Sequence, residues 1–380
     1  MKTNKTVPSL MFLTIFLFHW PLAGSAQITN EKESVFEVVE RNREAIALLG
    51  DNIYYFAELG MQEIETSRLM TEILEEAGFT IERGLSGMPP AFMATYGSGN
   101  PVIAMHTEFD STPGNSQTPD VTDHVPLVDG APGHAEGHNV NAAVMIGAAF
   151  AVKTVLEEHQ LEGTLKIFGA PAEEQLISRP YFVRDGYFDD VDIVFHPHIG
   201  SDFQTQYGLR QYALISAKFH FRGESAHGAV SPWRGRDALD AAELMDIGFD
   251  KFREHLEPTQ RSHRVITSGG VQPNVIPDSA TIWWFFREST AEGVSAVFER
   301  AKEIAQGAAL MTQTTFSVEI MSAVWPSRAN QTAAEVIQKN IELVGMPEWS
   351  PKEQALAREL QTKREVNPEG LVTSVSALSG

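Results

Sequence analysis

Val102-Ile103-Ala104-Met105-His106-Thr107-Glu108-Phe109-Asp110 is a short apolar strand that runs directly into an imidazole and two carboxylates. A brief apolar run with a polar terminus reads as a buried strand. The same pattern returns twice. Thr164 to Gly169 is a second strand, followed by Pro171-Ala172-Glu173-Glu174-Gln175, and Val191 to Phe195 is a third, followed by His196-Pro197-His198. Between the first two, Asn139 to Leu156 reads as a small-residue helix. Strands alternating with helices imply an α/β fold with a mostly parallel sheet covered on both faces. Ligands of such sheets gather beyond the carboxyl ends of the strands, which is where these polar groups fall.

Working outward, Glu33 to Leu59 and Thr66 to Ala77 show apolar residues at helical spacing, and Gly78 supplies a stop. After Tyr212 the pattern changes. A strand from Ala213 to Phe221, a helix from Asp237 to His255, strands at Arg264 to Thr267 and Thr281 to Arg287, a helix from Glu292 to Met311 and a strand from Thr315 to Met321 give the order βαββαβ. That is a ferredoxin-like arrangement. It predicts an inserted domain over about 213–325, flanked by the two parts of the main domain at 27–212 and 326–380. Helical pattern resumes from Thr332 to Val344 and from Lys352 to Arg364. A chain of 380 residues suits two folded units at roughly 150 residues each.

Hydrophobic residues make up 43% and charged residues 21%, a globular composition that argues against a disordered or coiled-coil chain. A net charge of −21 argues against nucleic acid as a partner, because phosphate binding relies on clustered Lys and Arg. Lys2 and Lys5 precede an apolar run from Leu10 to Leu22, and Ala23-Gly24-Ser25-Ala26 offers a cleavage site. Residues 1–26 are therefore expected to be a signal peptide, placing the protein in the periplasm or outside the cell. No stable membrane span is expected after its removal. The absence of cysteine excludes disulfides, thiolate ligands and a thiol nucleophile.

In Gly133-His134-Ala135-Glu136-Gly137-His138-Asn139 a carboxylate and an imidazole stand two residues apart at a turn into a helix, with glycines that let backbone approach closely. An ordinary Gly-rich loop is the competing reading. Glu173 and Glu174 repel each other unless something positive lies nearby, though a solvated surface pair would look the same. His196 alone would read as a core histidine. Three strand ends with carboxylate and imidazole groups together point to a divalent ion such as zinc or manganese.

At this level of detail the chain resembles a known family. GHxEGHN, PAEE, FHP, FRGESAHGAVSPWRGRDALDA and GGVQPNVIPDSATIWWFFRE follow, in order, the motifs of the zinc-peptidase family of aminoacylases, carboxypeptidase G and bacterial amidohydrolases. Its aminobenzoyl-glutamate branch is the nearest, and the likeness runs from about Glu33 to Gly380. The resemblance implies a zinc-peptidase catalytic domain with an inserted lid and dimerisation domain, and a homodimer. It implies Glu136, His138, Glu174 and His196 as ligands of one or two ions, zinc or manganese. It makes Glu173 the general base toward the attacking water and Asp110 the acidic residue that orients a ligand histidine. His227 would stabilise the oxyanion across a dimer, and Asn274 and Arg287 would hold a substrate carboxylate, a task suited to the planar guanidinium fork. The implied reaction is hydrolysis of the amide of an N-acyl or N-aroyl amino acid or a dipeptide. Trp233, Trp283 and Trp284 read as packing residues.

Two departures stand out. Many members of the branch have Cys where this chain has Glu136; a carboxylate can bridge two ions and resists oxidation. Members also continue past the position matching Gly380 and supply a last ligand histidine there, whereas His263 is the final histidine here. A metal position short of one ligand is the resulting expectation, and a non-catalytic homologue that binds a ligand or partner is the competing one.

Overall fold

The computed structural model describes residues 28–174 and 178–380. The expected export signal lies outside the described residues.

The chain opens with α1 (Asn30–Arg41), α2 (Arg43–Phe56) and α3 (Ile64–Glu76). The single helix expected from Glu33 to Leu59 is divided at Asn42, whose side-chain amide donates to the Val38 carbonyl at 2.8 Å and competes with the helical ladder. Next come β1 (Thr80–Arg83), β2 (Phe92–Ser98), β3 (Val102–Thr107), α4 (His138–Glu158), β4 (Gly163–Gly169), α5 (Arg179–Arg184) and β5 (Ile193–Phe195). These strands form one sheet in the order β1-β2-β4-β3-β5. β3 is parallel to both β4 and β5, as expected, while at one edge β2 pairs antiparallel with both β4 and β1. Only β2 of the five strands runs against the others, so the sheet is mostly parallel, as expected.

Side chains alternate between its two faces. Leu165 and Ile167 of β4 pack with Ile53 of α2, Met70 and Leu74 of α3, and Ala142 and Ile146 of α4. Ala104 of β3 and Phe168 of β4 face a second cluster around Leu85, Met88 and Phe182 of α5. Burying both faces explains why β3 and β4 are apolar through most of their lengths. Among the described residues, α4 is by length and composition apolar enough to cross a membrane, contrary to the sequence reading that no later segment is. Its apolarity serves the core instead, since Ala142, Ala143, Met145, Ile146, Ala149 and Ala151 are buried under the sheet and its neighbouring helices.

β6 (Gly208–Gln211) leads into β7 (Ala213–Arg222), α6 (Ala238–Phe252), β8 (Arg261–Ser268), β9 (Ser279–Glu288), α7 (Ala291–Thr312) and β10 (Thr315–Val324). This is the expected βαββαβ order. The strands pair antiparallel as β10-β7-β9-β8, so the fourth strand of the unit lies beside the first and the third beside the second. Ala280, Ile282, Trp284 and Phe286 alternate onto the covered face of β9 and meet Met245 and Phe249 of α6 and Val297 and Phe298 of α7. Trp284 is a packing residue as expected; Trp233, 73% exposed, is not.

β11 (Ser327–Ala329) pairs with β6, and α8 (Gln331–Val344) and α9 (Pro351–Lys363) follow. A reciprocal cap between Ser350 and Glu353 starts α9. The last segment returns to the first part of the chain: Lys363 pairs with Asp123 at 2.8 Å, and Ser376 N–H donates to the Phe203 carbonyl at 3.0 Å.

Candidate metal centre

β3 lies between β4 and β5, so the residues that follow all three strands converge above it. Asp110 comes from the segment after β3. His138 is the first residue of α4, presented by Gly137 in the left-handed region at φ 76°. A Cβ at Gly137 would stand 2.0 Å from Ile199, so a larger residue would push apart the turn before α4 and the segment after β5. Glu173 and Glu174 follow β4 across Ala172, itself at φ 56°.

The Asp110 carboxylate joins two of these segments. Its Oδ1 lies 3.0 Å from Nδ1 of His138, and its Oδ2 accepts from the Glu174 N–H at 2.9 Å. Since a carboxylate and a backbone carbonyl only accept, Nδ1 of His138 is the protonated nitrogen, which leaves Nε2 of the neutral ring with its lone pair. That Nε2 is buried and has no hydrogen-bond partner. Ligand atoms of His138, Glu173 and Glu174 lie within 4.8 Å of one another, and a second group of the same compactness joins His138 to Glu108 and His198. Burial and the charge of Glu173 push the Glu174 carboxyl up to about 7, with His138 opposing and Asp110 and Glu136 adding to the effect. Burial disfavours the charged His138 ring, yet the Asp110 hydrogen bond and the surrounding carboxylates outweigh it and raise its pKa. A cluster of carboxylates beside a free imidazole nitrogen fits a divalent cation.

Glu63 supports the turn that carries the paired glutamates. It is fully buried after α2, and its Oε1 accepts from the Ala172 N–H at 2.7 Å. Burial pushes its carboxyl up to about 8, with the charges of Asp110 and Glu58 adding to the rise.

Beside the cluster lies a second polar network. Arg179, at the start of α5, donates to Glu108 Oε1 at 3.0 Å, to Glu173 Oε1 at 3.2 Å and to His106 Nδ1 at 3.4 Å. His196 Nε2 meets the other Glu108 oxygen at 2.6 Å, and its ring stacks on His106 with centroids 4.1 Å apart. The Glu108 carboxyl is held well below the usual carboxylate range: burial works against ionisation, but the hydrogen bond from His196 and the charge of Arg179 prevail. Burial and the neighbouring His196 and Arg179 charges depress His106.

The structure thus brings Asp110, His138, Glu173 and Glu174 together. His196 stands in the Glu108 network, and it is His198 whose ligand atom lies near His138. Glu136 is exposed, with its charge felt at Glu174. His227 and Asn274 are neighbours on the exposed end of the βαββαβ unit: the Gly228 N–H donates to the Asn274 carbonyl at 2.9 Å, and His227 bridges to Val275. Arg287 lies at the opposite end of β9, its guanidinium over the Phe285 ring. Asn274 and Arg287 of one chain therefore do not meet. Sequence reading assigned no role to Arg179, Glu63 or His198; proximity to the strand-end motifs signals His198, whereas Arg179 and Glu63 carry no local pattern.

Comparison with known proteins agrees with this geometry. Residues 209–311 match the model of the peptidase dimerisation domain. The chain is 34% identical over 348 residues to one of the subunits of the p-aminobenzoyl-glutamate hydrolase of Escherichia coli, covering 90% of this chain and 72% of that protein. A crystal structure of an aminobenzoyl-glutamate utilization protein from Klebsiella pneumoniae superposes with a TM-score of 0.64 at 20% identity, over 89% of this chain and 91% of that one. A Bacillus subtilis protein described as a dinuclear metal-binding peptidase of the M20 family gives a TM-score of 0.51 at 20% identity, over 87% and 97% of the two chains. These likenesses favour a hydrolase over a non-catalytic binder. With the relative from Escherichia coli sharing a third of its residues across most of this chain, the protein belongs to the M20 peptidase family and is a metal-dependent hydrolase of amide bonds.

Proposed function

We propose that this hydrolase cleaves the amide of an N-acyl or N-aroyl amino acid, aminobenzoyl-glutamate being the model substrate, with zinc or manganese as its ion. The observation that carries the reading is the grouping of a ligand atom each from His138, Glu173 and Glu174 within 4.8 Å, together with the buried Nε2 of His138, which has no hydrogen-bond partner. His138 and Glu174 are assigned as ligands, with His198 beside His138 as a third. Glu136 closes the set from solvent. Two overlapping ligand groups that share His138 accord with a centre of one or two ions.

A divalent ion bound here supplies an acidified water and polarises the amide carbonyl. Glu173 takes the proton of the attacking water and delivers it to the departing amine. Asp110 fixes the His138 tautomer, which leaves the Nε2 lone pair free to hold an ion. His227 and Asn274, exposed and remote from Arg287, act in a homodimer, where they meet the substrate bound by the other copy. Residues 1–26 direct export to the periplasm or beyond.

The test is metal analysis of purified protein followed by an amine-release assay on acyl-amino acids with zinc or manganese. Glu173→Gln should keep its metal and lose about 10²- to 10⁴-fold in turnover. A parent protein that releases no amine from any substrate with either metal sinks the reading. Amino-terminal sequencing of the periplasmic protein checks cleavage near Gln27.

A further inference from the structure

We propose that Arg179 is a fixed cation filling the place that a metal ion would take among His106, Glu108 and His196, and that from there it aims Glu173. The three side chains form a donor set on their own: one ligand atom from each lies within 4.8 Å of the others. Two imidazoles and a carboxylate suit zinc or manganese. All three side chains are already tied into one network. Arg179 Nη1 donates to Glu108 Oε1 at 3.0 Å and to His106 Nδ1 at 3.4 Å, which uses the His106 lone pair. Glu108 Oε2 accepts from His196 at 2.6 Å. A second positive charge here would face the guanidinium at contact distance, beside the buried Glu108.

The remaining arm of the fork explains what the arrangement does. Arg179 Nη2 reaches Glu173 Oε1 at 3.2 Å, so one guanidinium spans Glu108, anchored in the core after β3, and the base after β4. Glu108 is 1% exposed and tied on both oxygens, so it is a rigid anchor. The planar fork transfers that rigidity to Glu173, which an ammonium on a flexible stem would not do. Arg179 is thus a positioning residue. The effect on Glu173 rests on the hydrolase reading; exclusion of an ion from the His106 group does not.

The experiment counts ions and turnover together. Parent protein, Arg179→Ala, Arg179→Lys and His106→Phe are saturated with Zn2+ or Mn2+, freed of excess, and their metal content per chain is measured beside amine release. Arg179→Ala should bind one ion more than the parent and turn over about tenfold to a hundredfold more slowly. Added guanidinium should expel the extra ion and restore part of the rate. Arg179→Lys should hold the parent's ion count and still turn over more slowly. His106→Phe should hold as many ions as the parent, which tests the inference even if Arg179→Ala does not fold. An unchanged ion count in Arg179→Ala, or one ion lost in His106→Phe, overturns it. A parent with no turnover would defeat the hydrolase reading and leave the ion counts to judge Arg179.

Discussion

Asp110 and His138 meet at 3.0 Å through a carboxylate oxygen and Nδ1, with neither side chain more than 1% exposed. Because the other Asp110 oxygen holds the Glu174 backbone, a single carboxylate sets the orientation of an imidazole and of a glutamate from different segments. Replacement by asparagine keeps the size and removes the charge. Asp110→Asn should weaken ion binding about 10- to 100-fold, read by titrating apo-protein with Zn2+ against a chelator. Parental affinity in this variant would show that Asp110 does not orient the ligands.

His196 and His198 stand two residues apart with different partners. His198 has a ligand atom near His138, whereas His196 is paired with Glu108. His198→Ala should therefore lower metal affinity by an order of magnitude or more, while His196→Ala should leave the ion count at the parental value. The reverse ranking, measured by metal content after dialysis, would return the ligand role to His196.

Glu63 makes stability depend on pH in a direction opposite to that of most carboxylates. Its folded pKa is raised to about 8 from 4.5, chiefly by burial. Below about pH 4.5 both folded and unfolded chains keep the proton; between 4.5 and 8 only the folded chain does. Its contribution to stability is thus fully present at low pH and lost as pH rises through 8, by up to about 1.4 kcal/mol per pH unit. Glu63→Gln should gain on the parent progressively from pH 5 to pH 8 in denaturant unfolding. A difference that stays flat over that range would contradict the assignment.

Phe286 is fully buried, and its ring meets those of Trp284, Phe219, Phe249 and Phe298. Phe286→Ala should cost about 3–5 kcal/mol, through lost burial and the cavity left behind. Trp233→Ala, at a residue 73% exposed, should change stability by less than about 0.5 kcal/mol. Thermal unfolding of both variants checks the contrast.

Reading the chain linearly recovers a great deal here. The apolar runs of β3, β4 and β5, the small-residue run of α4 and the helical periods of α6 and α7 are clear because each buries one or both faces, and burial writes itself into residue type. Elements with weaker burial are less legible. β2 runs Phe-Met-Ala-Thr-Tyr-Gly-Ser, and its small and polar positions blur the alternation, so the antiparallel edge became visible only through pairing. The break at Asn42 arises from one side chain's local hydrogen bond, which periodicity does not register.

By itself, the sequence determined that three strand ends bearing His and acidic groups would be neighbours, and that a βαββαβ unit would interrupt the main fold. Local periodicity encodes elements, and the chemistry of the donors encodes the affinity for a divalent ion. Tertiary structure alone decided which donors converge. β3 lies between β4 and β5, so Asp110 spans His138 and Glu174, while His196 and its neighbour His198 take different partners. It also decided that Arg179, from a helix start with no motif around it, stands between Glu108 and Glu173. Contacts at hydrogen-bond distance between residues far apart in the chain follow from strand order and packing, which no run of adjacent residues records.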